Sequence, residues 1–133
     1  MDPGQMPRVS GYDRSGMPDH AALENQLNRL ILEGRALEAF EQFYSEDIVM
    51  QENTDPPVVG KERNRAREQA FFGALADIGV TLLGSAVGGD VAYSEWIYEL
   101  TFKDGRKVAL TEVTARRWRD GQVAHERFYY NPS

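Results

Sequence analysis

The chain has no cysteine, which excludes disulfides, thiolate nucleophiles and thiolate metal ligands. Histidine is nearly missing too. His20 falls at a helix start and His125 on an outer strand face, and no His/Asp/Glu set has metal-ligand spacing, so neither a metal nor a cofactor is expected. Ser85 and Ser94 have no histidine on their face, so a nucleophilic triad has no support. No apolar run approaches the roughly 20 residues that a bilayer demands, and the N-terminus lacks a charged region followed by an apolar stretch. Neither a membrane association nor a secretory signal is expected, and the cytoplasm is the default location. Concentrated positive charge is also missing. The net charge is −6, "KERNRAR" (61–67) is interrupted by an acid, and "ARRWRDG" (115–121) by Trp118. A phosphate backbone needs a concentrated positive field, so nucleic acid is not an expected partner. The glycines of "GSAVGGD" lead into a strand turn and not a helix start, which removes a phosphate loop.

What is there is enough for one domain: 133 residues, 41% of them hydrophobic. Residues 1–18 carry three prolines and three glycines and read as a flexible tail, leaving 19–133 as the domain. Asp19 is placed to cap a helix whose stripe is Leu23, Leu27, Leu30 and Ile31 and whose end is Gly34. A second helix presents Leu37, Phe40, Phe43 and Tyr44. Residues 47–53 read as a short strand, and 54–60 as a loop forced by two prolines. The spacing predicts a third helix over 61–77 with Ala66, Ala70, Phe71, Ala74 and Leu75 inward. From Ile78 the texture changes to strands: "VTLLGSAVGGD", "VAYSEWIYELTF", "KVALTEVTARRW" and "QVAHERFYY". Three helices followed by a strand meander predict an α+β fold, with the helices packed on a strongly curved antiparallel sheet.

"KDG" (103–105) and "RDG" (119–121) read as the same three-residue hairpin loop with glycine in the left-handed position. That sets Trp96 opposite Glu112, Ser94 opposite Thr114, Thr114 opposite Glu126 and Glu112 opposite Phe128. One face then collects Trp96, Tyr98, Leu100, Phe102, Val108, Leu110, Ala124, Phe128 and Tyr130 around a polar island of Glu112, Thr114, Arg116 and Glu126. An acid such as Glu126 on an apolar face costs several kcal/mol, on the order of an unpaired buried ion, unless it is paired or used. The opposite face, with Tyr93, Glu95, Ile97, Glu99, Val113, Ala115, His125 and Tyr129, suits solvent or a second subunit.

A helix pair, the segment "FYSEDIVMQENTDPPVVGKERNR", a third helix and a meander closing on "RDGQVAHERFYYNP" together resemble the SnoaL-like group of the nuclear transport factor 2-like superfamily, over roughly residues 20–132. The resemblance implies a cone-shaped α+β barrel, usually dimeric, with a deep apolar pocket. It also implies chemistry of the ketosteroid isomerase, limonene epoxide hydrolase, scytalone dehydratase or polyketide cyclase type, done without metal or cofactor. By matching, Glu52 falls where the isomerases carry their carboxylate base, and Thr114 where they carry a protonated acid. The expected first-helix tyrosine is missing around Leu27 and Asn28, so steroid isomerisation itself is not expected. Glu126 falls where the cyclases and epoxide hydrolases carry an acid. Glu112, Arg116 and Glu126 echo the hydrolases' Asp–Arg–Asp arrangement in charge sign.

Two functional readings follow. In the first, Glu52, Glu112 and Glu126 are catalytic acids or bases, and Trp96, Tyr98, Thr114, Arg116, Phe128 and Tyr130 line the ligand site. The protein would then be a cofactor-independent isomerase, cyclase, dehydratase or hydrolase acting on a small apolar or polyketide- or steroid-like compound. In the second, it is a non-enzymatic ligand-binding or dimerisation module. There Glu126 is tied to Arg116 diagonally across the strands, Glu112 to Arg116 along its own strand, and Glu52 is a solvated strand end. A homodimer is expected from the resemblance, with Ile97, Val113, Ala115 and Tyr129 able to supply the contact.

Overall fold

The computed structural model describes residues 11–132. Of the tail read over 1–18, the first ten residues lie outside the described residues. Residues 11–18 form a turn in which the Asp13 carboxylate accepts the Ser15 and Met17 N–H groups, each at 2.9 Å. Gly11, at φ +87°, lies so close to Leu23 that a Cβ would fall 2.3 Å from a Leu23 methyl, which is why only glycine fits there.

Helix α1 (His20–Leu32) starts as the sequence predicts: Asp19 accepts the Ala22 N–H at 3.1 Å. It ends at Gly34, φ +78°, while Arg35 N–H reaches back to the Leu30 carbonyl at 2.8 Å. Helix α2 (Ala36–Phe43) buries Ala39, Phe40 and Phe43. Strand β1 (Tyr44–Glu52) follows without a loop, three residues earlier than expected, because Tyr44 already turns extended. A two-residue strand β2 (Val58–Val59) closes the proline loop.

Helix α3 (Lys61–Gly73) stops before the expected end at 77, and Leu75 opens β3 (Leu75–Gly88). Its inward face also differs from expectation. Ala66, Ala70 and Ala74 are exposed, and so is Phe71 at 41%, while Lys61, Asn64, Glu68 and Phe72 face the protein. The inner face is polar because its groups are bonded there. Lys61 Nζ donates to the Glu41 carbonyl at 3.0 Å, and Asn64 Nδ2 to the Val58 and Gly60 carbonyls at 3.0 and 2.9 Å. Apolar periodicity could not mark such a face.

The long strands β4 (Val91–Phe102), β5 (Lys107–Arg119) and β6 (Gln122–Tyr130) complete one six-stranded sheet in the order β2-β1-β6-β5-β4-β3. The expected α+β arrangement of three helices on a curved sheet is present, with two differences. The β1–β6 pair is parallel, so the sheet is mixed, and the sheet is open rather than a closed barrel. A strand that returns to its partner across α3 and the whole meander is free to pair in either direction, unlike a hairpin.

The two "DG" turns differ, and this resets the register. At 103–105 the expected three-residue loop forms: Phe102 N–H meets the Arg106 carbonyl at 2.8 Å, Gly105 has φ +92°, and Trp96 pairs with Glu112 and Ser94 with Thr114. At the second turn only Asp120 and Gly121 are unpaired, at φ +52° and +82°, the mirror-image two-residue turn. A bulge at Ala124 then adds one more offset, so Arg116 pairs with Glu126, Thr114 with Phe128 and Glu112 with Tyr130. The expected Thr114–Glu126 and Glu112–Phe128 pairs are thus displaced by two residues. Because side chains alternate with period two, Glu126, Phe128 and Tyr130 still face inward. Val123, not Ala124, takes the inner position before them, fully buried.

The apolar core joins Leu23 and Leu27 of α1, Phe40 and Phe43 of α2, Tyr44, Ile48 and Met50 of β1, and Ala92, Trp118 and Val123 of the sheet. Among the described residues no helix is long and apolar enough to cross a membrane.

Candidate functional site

The polar groups of the inner face fall into two sets. The first is a fully bonded buried network. Arg116 is 2% exposed and sits between two carboxylates, donating from Nη1 to Glu24 at 2.6 Å and from Nε to Glu126 at 2.6 Å. Its Nη1 also reaches Asn28 Oδ1 at 2.8 Å, and Asn28 Nδ2 donates on to Ser94 Oγ at 3.0 Å. Trp118 Nε1 donates to the second Glu24 oxygen at 2.7 Å, and the Tyr44 hydroxyl donates to Glu126. Burial pushes the Glu126 carboxyl up, against the opposing pull of Arg116 and Tyr44, and pushes the Tyr44 hydroxyl well above its ordinary value. Every member holds another, so the set fixes α1, β1, β5 and β6 in relation to one another.

The second set is not paired off. Glu112, on β5 opposite Trp96 and Tyr130, accepts one bond, from the Thr114 hydroxyl at 3.2 Å. Burial, with the charge of Glu126, pushes its carboxyl up to about 7. Glu68 projects inward from α3 and, among the described residues, takes part in no hydrogen bond or ion pair. Burial, reinforced by the charges of Glu126 and Glu52, pushes it up to about 8. Tyr98 is likewise pushed up, by burial first and Glu112 second, and Tyr130 is pushed up to about 12 by burial and by Glu52 and Glu112.

A cavity of about 400 Å3 opens beside Glu68, lined by Met50, Glu52, Pro56, Pro57, Asn64, Arg67, Glu68 and Phe128; Glu112, Tyr98 and Tyr130 are not among its lining residues. The proline loop forms one wall and α3 the other. Asn53, at φ +50°, pins that loop to β6, its side chain accepting the Tyr130 N–H at 2.9 Å and its carbonyl the Arg127 Nε at 2.9 Å. At the mouth, Arg67 Nη2 stands 3.5 Å from Glu52, both half-exposed. Among the described residues no His, Asp and Glu groups cluster as a metal site.

The residues singled out from sequence therefore lie together on one side of the sheet but in different settings. Glu126 and Arg116 belong to the bonded network, together with Tyr44, which the sequence placed only on a helix stripe. Glu112, bonded to the Thr114 hydroxyl, stands with Trp96, Tyr98 and Tyr130 outside that network, as does Glu68. Glu52 and Phe128 line the cavity. The Glu112–Arg116 pairing weighed in sequence is not made; Arg116 takes Glu24 in its place. The acid–arginine–acid triad is Glu24–Arg116–Glu126, not Glu112–Arg116–Glu126. Glu24 and Glu68 were missed. For Glu24 a signal existed, since Leu23, Glu24, Leu27 and Asn28 share one helical stripe and a carboxylate at its centre requires a buried cation. Glu68 gave none, because its own helix face is polar.

The SnoaL-like domain model matches residues 26–126. Among solved structures, the chain is similar to a candidate SnoaL-like polyketide cyclase from Mesorhizobium loti, at 26% identity and a TM-score of 0.76 over 84% of this chain and 98% of the other. It is similar in fold to a protein from Catenulispora acidiphila with a ketosteroid isomerase-like fold, in complex with trimethylamine, at 17% identity and TM-score 0.69 over 82% and 85% of the two chains. It also matches an epoxide hydrolase of the LEH-like type from M. tuberculosis, at 17% identity and TM-score 0.67 over 84% and 80%. Comparison with functionally curated proteins gives no significant match.

Proposed function

The chain belongs to the SnoaL-like domain family, and from that premise we propose that it binds a small organic molecule between α3 and the sheet and moves protons on it with Glu112 and Glu68. The observation that carries this reading is a pair of desolvated carboxyls, Glu112 on β5 and Glu68 on α3, neither of which forms a salt bridge among the described residues. With both carboxyls pushed up toward neutrality, one can stand ionised while the other keeps its proton, so that one acts as base and the other as acid. That division suits isomerisation, cyclisation, dehydration or hydrolysis of a polyketide- or steroid-like compound. Thr114 holds Glu112 in place, Phe128 forms part of the cavity wall, and Trp96, Tyr98 and Tyr130 stand beside Glu112 on the same sheet face. In this reading Arg116 and Glu126 are framework, and Glu52 with Arg67 guards the mouth. We further propose a homodimer formed through the outer sheet face, as the family resemblance implies.

A second reading, a non-enzymatic ligand-binding or dimerisation module, rests on Glu126 and Glu52, both of which lie against arginines. Side-chain carboxyl titration by NMR separates the two. The proposal expects two glutamate carboxyls titrating near neutrality, one lost in Glu112→Gln and the other in Glu68→Gln. If both titrate near the ordinary ~4.3, proton transfer is ruled out and the binding module stands.

A further inference from the structure

The side-chain amides in the wall of the cavity beside α3 already donate to backbone. Asn64 Nδ2 gives both its protons, to the Val58 and Gly60 carbonyls at 3.0 and 2.9 Å, and Gln51 Nε2 donates to the Asp55 carbonyl at 2.9 Å. The acceptors are in the opposite state. The carboxyls of Glu52, Asp55 and Glu68 line the cavity against one cation, Arg67. Arg67 stands half-exposed at the mouth, 3.5 Å from Glu52, while Glu68 has no hydrogen bond or ion pair among the described residues. The charges bearing on the Glu68 carboxyl are Glu126, Glu52 and Glu112, which oppose its ionisation, and Arg67, which favours it. Burial desolvates that carboxyl, although the residue as a whole is partly exposed and reaches the cavity. A desolvated carboxyl without a partner is an exception among buried polar groups.

We infer that this cavity is a subsite for an organic cation, with a protonated amine of the bound molecule against Glu68 and its apolar body along Met50, Pro57 and Phe128. This rests on the reading that a small molecule binds between α3 and the sheet, and it narrows that molecule to one carrying a basic nitrogen. An ammonium group has only donors to offer, which suits a wall whose open positions are carboxyl oxygens. Its charge meets those oxygens in a site where water is thinned out and attraction is stronger than in bulk solvent. An anionic ligand would face three like charges. A bare metal ion is a poorer fit, because among the described residues these acids do not cluster as a metal site, and much of the remaining wall is apolar. On binding, Glu68 releases its proton to solvent and becomes the anion of the pair.

The test titrates the full chain with three probes that share one ring: cyclohexylamine, cyclohexanol and cyclohexanecarboxylate. Binding is followed at the Glu68 side-chain carboxyl by NMR, the signal assigned as the one lost in Glu68→Gln. From about pH 6 to about pH 8 the amine stays protonated, as lysine does. It should bind more tightly than the alcohol, and the carboxylate most weakly. Its affinity should rise with pH across that window, by up to about tenfold per unit, because Glu68 must lose a proton to pair with it. Glu68→Gln should weaken the amine by roughly tenfold to a hundredfold, the effect of one hydrogen bond to a charged group, and flatten the pH dependence while leaving the alcohol nearly unchanged. Two results overturn the inference alone: an alcohol that moves the Glu68 signal and binds as tightly as the amine, or an amine whose affinity Glu68→Gln does not change. If none of the three probes moves the Glu68 signal, the inference and the pocket reading fail together.

Discussion

An acid that keeps its proton in the folded chain and loses it in the unfolded one makes stability fall as pH rises. Glu112 and Glu68, pushed up to about 7 and about 8, both lie above the ~4.3 of unfolded glutamate. Between those values the folded chain binds more protons than the unfolded chain, so each group lowers stability progressively across that window. Glu112→Gln removes the effect. Its unfolding free energy from urea denaturation should match wild type near pH 4 and exceed it near pH 8, by on the order of 2 kcal/mol. Equal free energies at both pH values would mean that the carboxyl is not desolvated. Arg116 gives the opposite case. Arg116→Leu leaves Glu24 and Glu126 buried without their cation and should cost about 3–5 kcal/mol, while Arg116→Lys rescues little because an ammonium cannot span both carboxylates as the fork does. Urea denaturation of the two variants checks this; a loss within experimental error for Arg116→Leu would remove the network from the account of the fold.

At the scale of elements, the same two letters, "DG", make two different turns. The first closes a three-residue loop and the second a two-residue turn followed by a bulge, and at the second Gly121 also packs against the N-terminal turn. A Cβ on Gly121 would lie 3.1 Å from the Tyr12 hydroxyl and 3.6 Å from Pro18, at φ +82°. Gly121→Ala should therefore cost about 1–2 kcal/mol from the left-handed backbone alone. Thermal unfolding measures it, and an unchanged midpoint would show that the turn relaxes freely. The hairpin faces were legible in sequence because strand alternation survives an offset of two. The partners within each face were not, because the same two letters close either turn and the bulge at Ala124 leaves no mark in the local pattern. Helix α1 was legible through its cap, stripe and terminal glycine. The inner face of α3 was not, since Lys61, Asn64 and Glu68 are turned inward by bonds and a cavity rather than by apolarity.

For the whole molecule, the bonded network and the apolar core occupy one part of the cone, and the unpaired acids, the aromatics and the cavity lie beside them. The outer sheet face remains, with Tyr93 and Tyr129 exposed and the Arg127 guanidinium over the Tyr129 ring at 4.8 Å. If that face joins two copies, light scattering at low concentration should return a mass above the 15.0 kDa of one chain. Tyr129→Glu should bring it down to one chain without moving the Glu112 titration. A wild-type mass of one chain would refute the dimer.

By itself the sequence determined the architecture and the chemistry excluded. Helices precede a meander, Glu112 and Thr114 share a face with Trp96 and Tyr98, and no thiol exists. These follow from local periodicity, capping and composition, which act over a few residues. Only the tertiary structure decided which acid is paired and which is left. Arg116 could have taken Glu112, but Glu24 arrives from α1 and Glu126 from β6 at 2.6 Å each, so Glu112 remains with a hydroxyl and Glu68, among the described residues, with no hydrogen bond or ion pair. Desolvation and ion pairing are set by what surrounds a charge in three dimensions, and the groups that settle it here lie as far apart in the chain as residues 24 and 116.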